Sequence, residues 1–143
     1  MKIKIKKIIG DLDFRVVWNT EEDLQLLSFI TVVFDCDGKE YTLTACPGSI
    51  FNGASIPWFF WRIIGHPKRN EFLLAALFHD LGYMTHFLSK ELFDELFQEI
   101  LKHEKVWIPR TTAMFLGVHL FGKKAYKKAY HIDNLKYLKI TVT

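Results

Sequence analysis

The chain has 143 residues, half of them apolar, with thirteen Phe, four Trp and a net charge of +3. That length supports one core without metal or disulfide staples, so a single domain over residues 1–143 is expected. Two cysteines exclude a disulfide framework, and no apolar run escapes interruption by Lys, Arg, Asp or Glu for long enough to make a transmembrane segment.

The N-terminus, Met1-Lys2-Ile3-Lys4-Ile5-Lys6-Lys7, alternates Lys with Ile. That pattern predicts a strand with one wet face rather than a signal peptide, so secretion by that route is not expected. Phe14 to Trp18 is β-branched and aromatic, and Phe29 to Phe34 and Tyr41 to Thr44 flank Asp37-Gly38, a strong hairpin signal. Cys36 and Cys46 read as reduced thiols. Pro57 suits a first helical turn, which predicts a short helix over Trp58 to Ile64 stopped by Gly65 and Pro67. Glu71 to Phe87 follows, apolar on almost every face and therefore expected in the middle of the fold. Ser89 is a good N-cap for Lys90 to His103, whose Leu92, Phe93, Leu96, Phe97 and Ile100 form one stripe. A third helix is expected from near Pro109 to Gly122, then a Lys-rich amphipathic piece and a closing strand over Tyr137 to Val142. The expected class is α+β, a small N-terminal antiparallel β-sheet followed by a three- to four-helix C-terminal part.

Charge is uneven along the chain. Residues 1–10 hold four Lys and no acid, and residues 121–143 hold six Lys against Asp133 alone, so residues 11–120 sum to a net negative charge. Such basic ends can attract phosphate groups, although Lys123, Lys124, Lys127 and Lys128 also read simply as a solvated helix face. There is no specific nucleic-acid motif.

Chemistry concentrates between Phe51 and Asp94. On a helix, His79, Tyr83 and His86 share one stripe at i, i+4 and i+7, and Asp80 lies about 100° round from His79. His79 is a candidate general base, Tyr83 a catalytic neighbour, and Asp80 a ligand for a hard cation such as Ca²⁺. Asp94 can accept the other ring N–H of His79 and fix its tautomer. In the loop Asn52-Gly53-Ala54-Ser55-Ile56-Pro57, small residues let backbone groups approach a ligand closely, so loop oxygens can complete the shell of a cation on Asp80 and free N–H groups can bind an anion or help hold an oxyanion. Ser55 is a substrate-side candidate, although its plainer role is to cap the Pro57 helix. Trp58, Phe59, Phe60 and Trp61 cannot all face one core, so Trp58 and Trp61 are candidates for contact with lipid, a partner or an apolar substrate. The plainer reading of the whole group is a buried hydrogen-bond network.

The order Asn-Gly-Ala-Ser-Ile-Pro, Trp-Phe-Phe-Trp, Ala-Leu-Phe-His-Asp, Phe-Asp-Glu-Leu-Phe, then Arg110 to Gly122, resembles the phage and prophage family known as domain of unknown function 1353, over about residues 44 to 126. Asn52 stands where that pattern commonly has an acid. The resemblance implies a viral or prophage origin, a place in the host cytoplasm or the virion, and other phage proteins as partners. Locally, His79-Asp80-Leu81-Gly82-Tyr83 with Asp94 downstream resembles the helix pair of bacterial and fungal phospholipase A2 enzymes. It implies water activation by His79, Ca²⁺ on Asp80 with carbonyls near Asn52 and Gly53, orientation of His79 by Asp94, and a lipid or other ester as substrate. The missing disulfides and the preceding sheet depart from that family. The doublet also resembles HD phosphohydrolases, for which His66 and Asp133 would have to supply the remaining ligands. The expected function is thus a Ca²⁺-dependent hydrolase of the phospholipase A2 kind, with a non-enzymatic phage structural or partner-binding protein as the alternative.

Overall fold

The computed structural model describes residues 2–17, 23–51 and 70–143. Trp18, the loop with Asn52, Gly53 and Ser55, the short helix expected around Trp58 and Trp61, and His66 lie outside them. The strands are β1 (Ile3–Ile9), β2 (Phe14–Val16), β3 (Leu24–Leu26), β4 (Ile30–Cys36), β5 (Lys39–Ala45), β6 (Ile50–Phe51) and β7 (Leu138–Val142). Among the described residues, four helices, α1 (Asn70–Thr85), α2 (Lys90–His103), α3 (Ile108–Phe121) and α4 (Lys123–Ala129), are followed by a 3₁₀ segment, Ile132–Tyr137. The α+β arrangement expected from the sequence is therefore present, with an antiparallel sheet ahead of the helices.

The larger sheet runs β1-β4-β5-β7, antiparallel throughout. Asp37 and Gly38, at φ 51° and 82°, make the two-residue turn between β4 and β5, with Cys36 opposite Lys39. β1 is longer than the Lys/Ile alternation alone suggests, because a register shift between Ile5 and Lys7 resets the phase and turns Ile8 inward. A second sheet, β2-β3-β6, was not expected. β2 falls within the strand expected over Phe14 to Trp18, whereas its partners β3 and β6 are three and two residues long, too short for alternation to be read. Both cysteines are buried free thiols.

α1 is buried from Phe72 to Tyr83 without a break, as its all-round apolar sequence requires. It ends at Thr85, earlier than periodicity predicts, because His86 takes φ 54° and its Nε2–H donates to the Tyr126 carbonyl at 2.6 Å. α2 begins where its cap predicts, the Ser89 hydroxyl accepting from Leu92 N at 3.1 Å. Between α1 and α2 sits Gly82, where an added Cβ would lie 2.2 Å from the Phe93 ring. The missing side chain lets the two helices close, which brings Asp94, the residue after Phe93, toward the His79 side of α1.

Candidate functional site

Asp94 is fully buried and its two oxygens face different groups. Oδ1 lies 2.9 Å from His79 Nε2 and accepts from the Tyr83 hydroxyl at 2.6 Å. Oδ2 accepts from Lys90 Nζ at 2.5 Å and lies 3.7 Å from His119 Nδ1. Lys90 also donates to the carbonyls of Val118 and His119, both at 3.2 Å, so its three N–H groups tie the start of α2 to the C-terminal turn of α3. One carboxylate thus joins three helices.

His79 and Tyr83 are both almost inaccessible, and their rings are tilted together with centroids 4.0 Å apart. Phe97 packs on the imidazole from α2 at 5.0 Å. Gly122, between α3 and α4, leaves room for the Tyr83 hydroxyl, which a Cβ there would meet at 2.5 Å. Burial holds the imidazole of His79 below its ordinary pKa, against the opposing pull of Asp94. Burial and the bond to Asp94 also push the Tyr83 hydroxyl well above its usual value, so it stays a donor. For Asp94 burial acts upward, but the bonds from His79, Lys90 and Tyr83 outweigh it and hold the carboxyl below the usual range. Asp94 is therefore the anion and His79 a neutral ring. Since Nε2 faces the carboxylate, the single ring proton sits there, and Nδ1 is left as an acceptor. That Nδ1 is buried and has no hydrogen-bond partner among the described residues.

Asp80, the next residue along α1, is 8 % exposed and opens on a different space. A cavity of about 360 Å³ lies there, lined by Asp80, Tyr83 and Met84 from α1, Ile50 and Phe51 from β6, and Asp23, Ala129 and Asn134. Its lining mixes apolar side chains with the polar groups of Asp23, Asp80, Tyr83 and Asn134, which can orient a small ligand. Every side chain able to coordinate a hard cation there offers oxygen, which fits Ca²⁺ in donor type. Among the described residues, however, no three His, Cys, Asp or Glu side chains converge on a metal position. A complete shell needs further oxygens, and the carbonyls expected to supply them, at Asn52 and Gly53, are outside the described residues.

The predicted residues His79, Tyr83 and Asp94 are thus brought into one bonded group, with Asp80 beside it on the cavity. His86 leaves the stripe and stacks on Tyr126 at 3.8 Å. His119 belongs to the group through Asp94, whose Oδ2 lies 3.7 Å from its Nδ1. Lys90 joins the group as well, and its i, i+4 spacing to Asp94 is the sequence signal that finds it. Asp133, required by the HD-type reading, pairs with His131 at 3.4 Å on the surface, where its side chain is 80 % exposed.

Fold and site together define an α+β protein whose helical half is organised around a buried histidine–aspartate pair. The chain belongs to the family described as protein of unknown function (DUF1353), whose model matches residues 30–118, from β4 to the last turn of α3. No curated protein and no solved structure matches it.

Proposed function

We propose that the protein is a hydrolase of the phospholipase A2 kind, acting on a lipid or other ester, with Ca²⁺ as its metal. The observation that carries this reading is the state of His79: a neutral imidazole, its Nε2–H held by a buried carboxylate and its buried Nδ1 an acceptor with no partner among the described residues. An unpaired buried acceptor costs about 1–3 kcal/mol, and proteins retain such groups where something else uses them. In this reading Nδ1 takes a proton from water, and Asp94 stabilises the imidazolium without itself becoming protonated. Tyr83 and Lys90 keep Asp94 ionised and fixed. Asp80 would hold the metal together with carbonyl oxygens near Asn52 and Gly53, and the bound ion would polarise the ester carbonyl as a Lewis acid. Ser55, Trp58 and Trp61 are the residues we assign to the substrate side. The resemblance in motif order to phage and prophage proteins supports a viral origin, with action in the host cytoplasm or the virion.

The experiment compares the wild type and His79→Gln on phospholipid vesicles and on a chromogenic ester, with Ca²⁺ and with chelator. A Ca²⁺-dependent activity falling by about 10²–10⁴-fold in His79→Gln, with melting temperature retained, is the expected result. An inactive wild type whose melting temperature ignores Ca²⁺ would overturn the reading.

A second reading has its own support. Asp94 joins α1, α2 and the end of α3, which is what a purely structural knot in a partner-binding phage protein would also do. It predicts that His79→Gln lowers stability and that no activity exists to be lost.

A further inference from the structure

On the side of Asp94 away from His79, the start of α2, the end of α3 and α4 enclose a second concavity of about 490 Å³. Its lining includes Lys90, His119, Lys123 and Lys127, with Glu91 as the one carboxylate among the described residues and Tyr126 along the wall. The sequence supplies no acid between Lys105 and Ile132, so α3 and α4 bring only cationic or neutral side chains to this space. Lys90 has its N–H groups committed to Asp94 and to two carbonyls, and contributes charge rather than a donor. Lys123 and Lys127, one turn apart on α4, and the half-exposed ring of His119 are the groups that can reach an occupant.

We infer that this groove is a binding site for a phosphate group, held by Lys123, Lys127 and His119 and linked electrostatically to Asp94 through the Lys90 ammonium that borders both. Two ammonium groups one turn apart on α4 and a histidine ring from α3, lining the same concavity, suit a compact, multiply charged oxyanion, which accepts from more than one direction. A row of lysines on an open helix face would have no such preference, and the groove is what separates the two cases. The link to Asp94 follows from position: Lys90 and His119 stand between the buried carboxylate and the groove. Negative charge on one side weakens the hold on negative charge at the other, and the coupling is reciprocal. Binding at this groove does not depend on the hydrolase reading.

The phosphate can be free or carried on a lipid headgroup, and the test separates these sources. Inorganic phosphate is titrated into the wild type without Ca²⁺, following the histidine ring resonances, beside sedimentation with vesicles of phosphatidylglycerol and of phosphatidylcholine. Saturable phosphate binding that moves the His119 resonance, and weakens about five- to tenfold in Lys123→Gln/Lys127→Gln, is expected. Vesicle binding that needs phosphatidylglycerol and the same two lysines assigns a headgroup; phosphate binding without it assigns a free phosphate or soluble phosphoester. Asp94→Asn should tighten phosphate binding by at least about fivefold, and if that variant does not fold the wild-type resonances still decide. No saturable binding of either probe, binding untouched by the double substitution, or binding that leaves His119 unmoved would overturn the site. Loss of the hydrolase reading shows separately, as an inactive wild type that still binds phosphate.

Discussion

The two oxygens of Asp94 look onto different worlds. Oδ1 lies in a dry interior and meets two neutral donors, His79 and Tyr83, both nearly inaccessible. Oδ2 looks toward the rim and meets a cation, Lys90, whose side chain is 12 % exposed, with His119 beyond it at 45 %. The inner donors fix geometry, since each has one defined hydrogen and a packed ring. The outer groups supply charge, without which a fully buried carboxylate would not remain ionised. The difference explains how an anion can sit at the centre of three helices and still leave its histidine neutral: compensation comes from the ammonium on one side, so the imidazole on the other need not take a proton.

Removing the carboxylate breaks both sides at once and should have the largest effect. Asp94→Ala leaves the Lys90 ammonium and the His79 and Tyr83 donors without their shared acceptor, and we expect a loss of about 3–5 kcal/mol in denaturant unfolding. A change below about 1 kcal/mol would mean that the three helices do not depend on this group.

Much of the inner side was legible in the sequence and little of the outer. A His-Asp doublet on an apolar helix, a cap at Ser89 and a stripe on the next helix suffice to bring His79 and Asp94 face to face, because periodicity and capping are local signals. Gly82 is the residue that permits the approach, yet a lone Gly in a helix announces a cost rather than the ring packed against it. His119 reaches Asp94 only through the tertiary path of α3, for which no spacing rule exists. The hairpin at Asp37-Gly38 and the closing β7 were readable for the same local reasons, while β3 and β6, three and two residues long, carry too little sequence to show a period.

Tyr83→Phe tests the inner side by one donor. It keeps the ring packed between His79 and Tyr126 and removes only the hydroxyl, so we expect about 0.5–1.5 kcal/mol of destabilisation, rising toward 3 because the acceptor is charged. If the hydrolase reading holds, activity should fall as His79 loses its fixed orientation, and a variant with unchanged kinetics would remove Tyr83 from the catalytic group. Acid tests the same side without mutation. The pKa of His79 is lower in the folded state than the ordinary value of about 6.5. Below that value the unfolded chain therefore binds a proton that the folded one refuses, and stability should decline as pH falls from neutrality toward 5. Asp94, also depressed, adds a further loss only at lower pH, below about 4. Replacing His79 with Gln should flatten the first decline and leave the second, and a wild-type stability constant between pH 7 and 5 would contradict a neutral buried ring.

The smallest expected effect belongs to the outer side. His119 lies 3.7 Å from Oδ2, too far for a strong hydrogen bond, and is open to water, so solvent weakens its interaction with the carboxylate. His119→Gln should shift stability by less than about 0.5 kcal/mol, measured by denaturant unfolding at pH 7. The same substitution removes one of the three groups facing the groove between α2, α3 and α4, so it should weaken phosphate binding while leaving the fold alone. A loss of stability approaching that of Asp94→Ala would place His119 inside the structural knot and erase the division between the two oxygens. A near-neutral variant with impaired anion binding would instead fix the boundary at Lys90, with everything beyond that ammonium serving the groove.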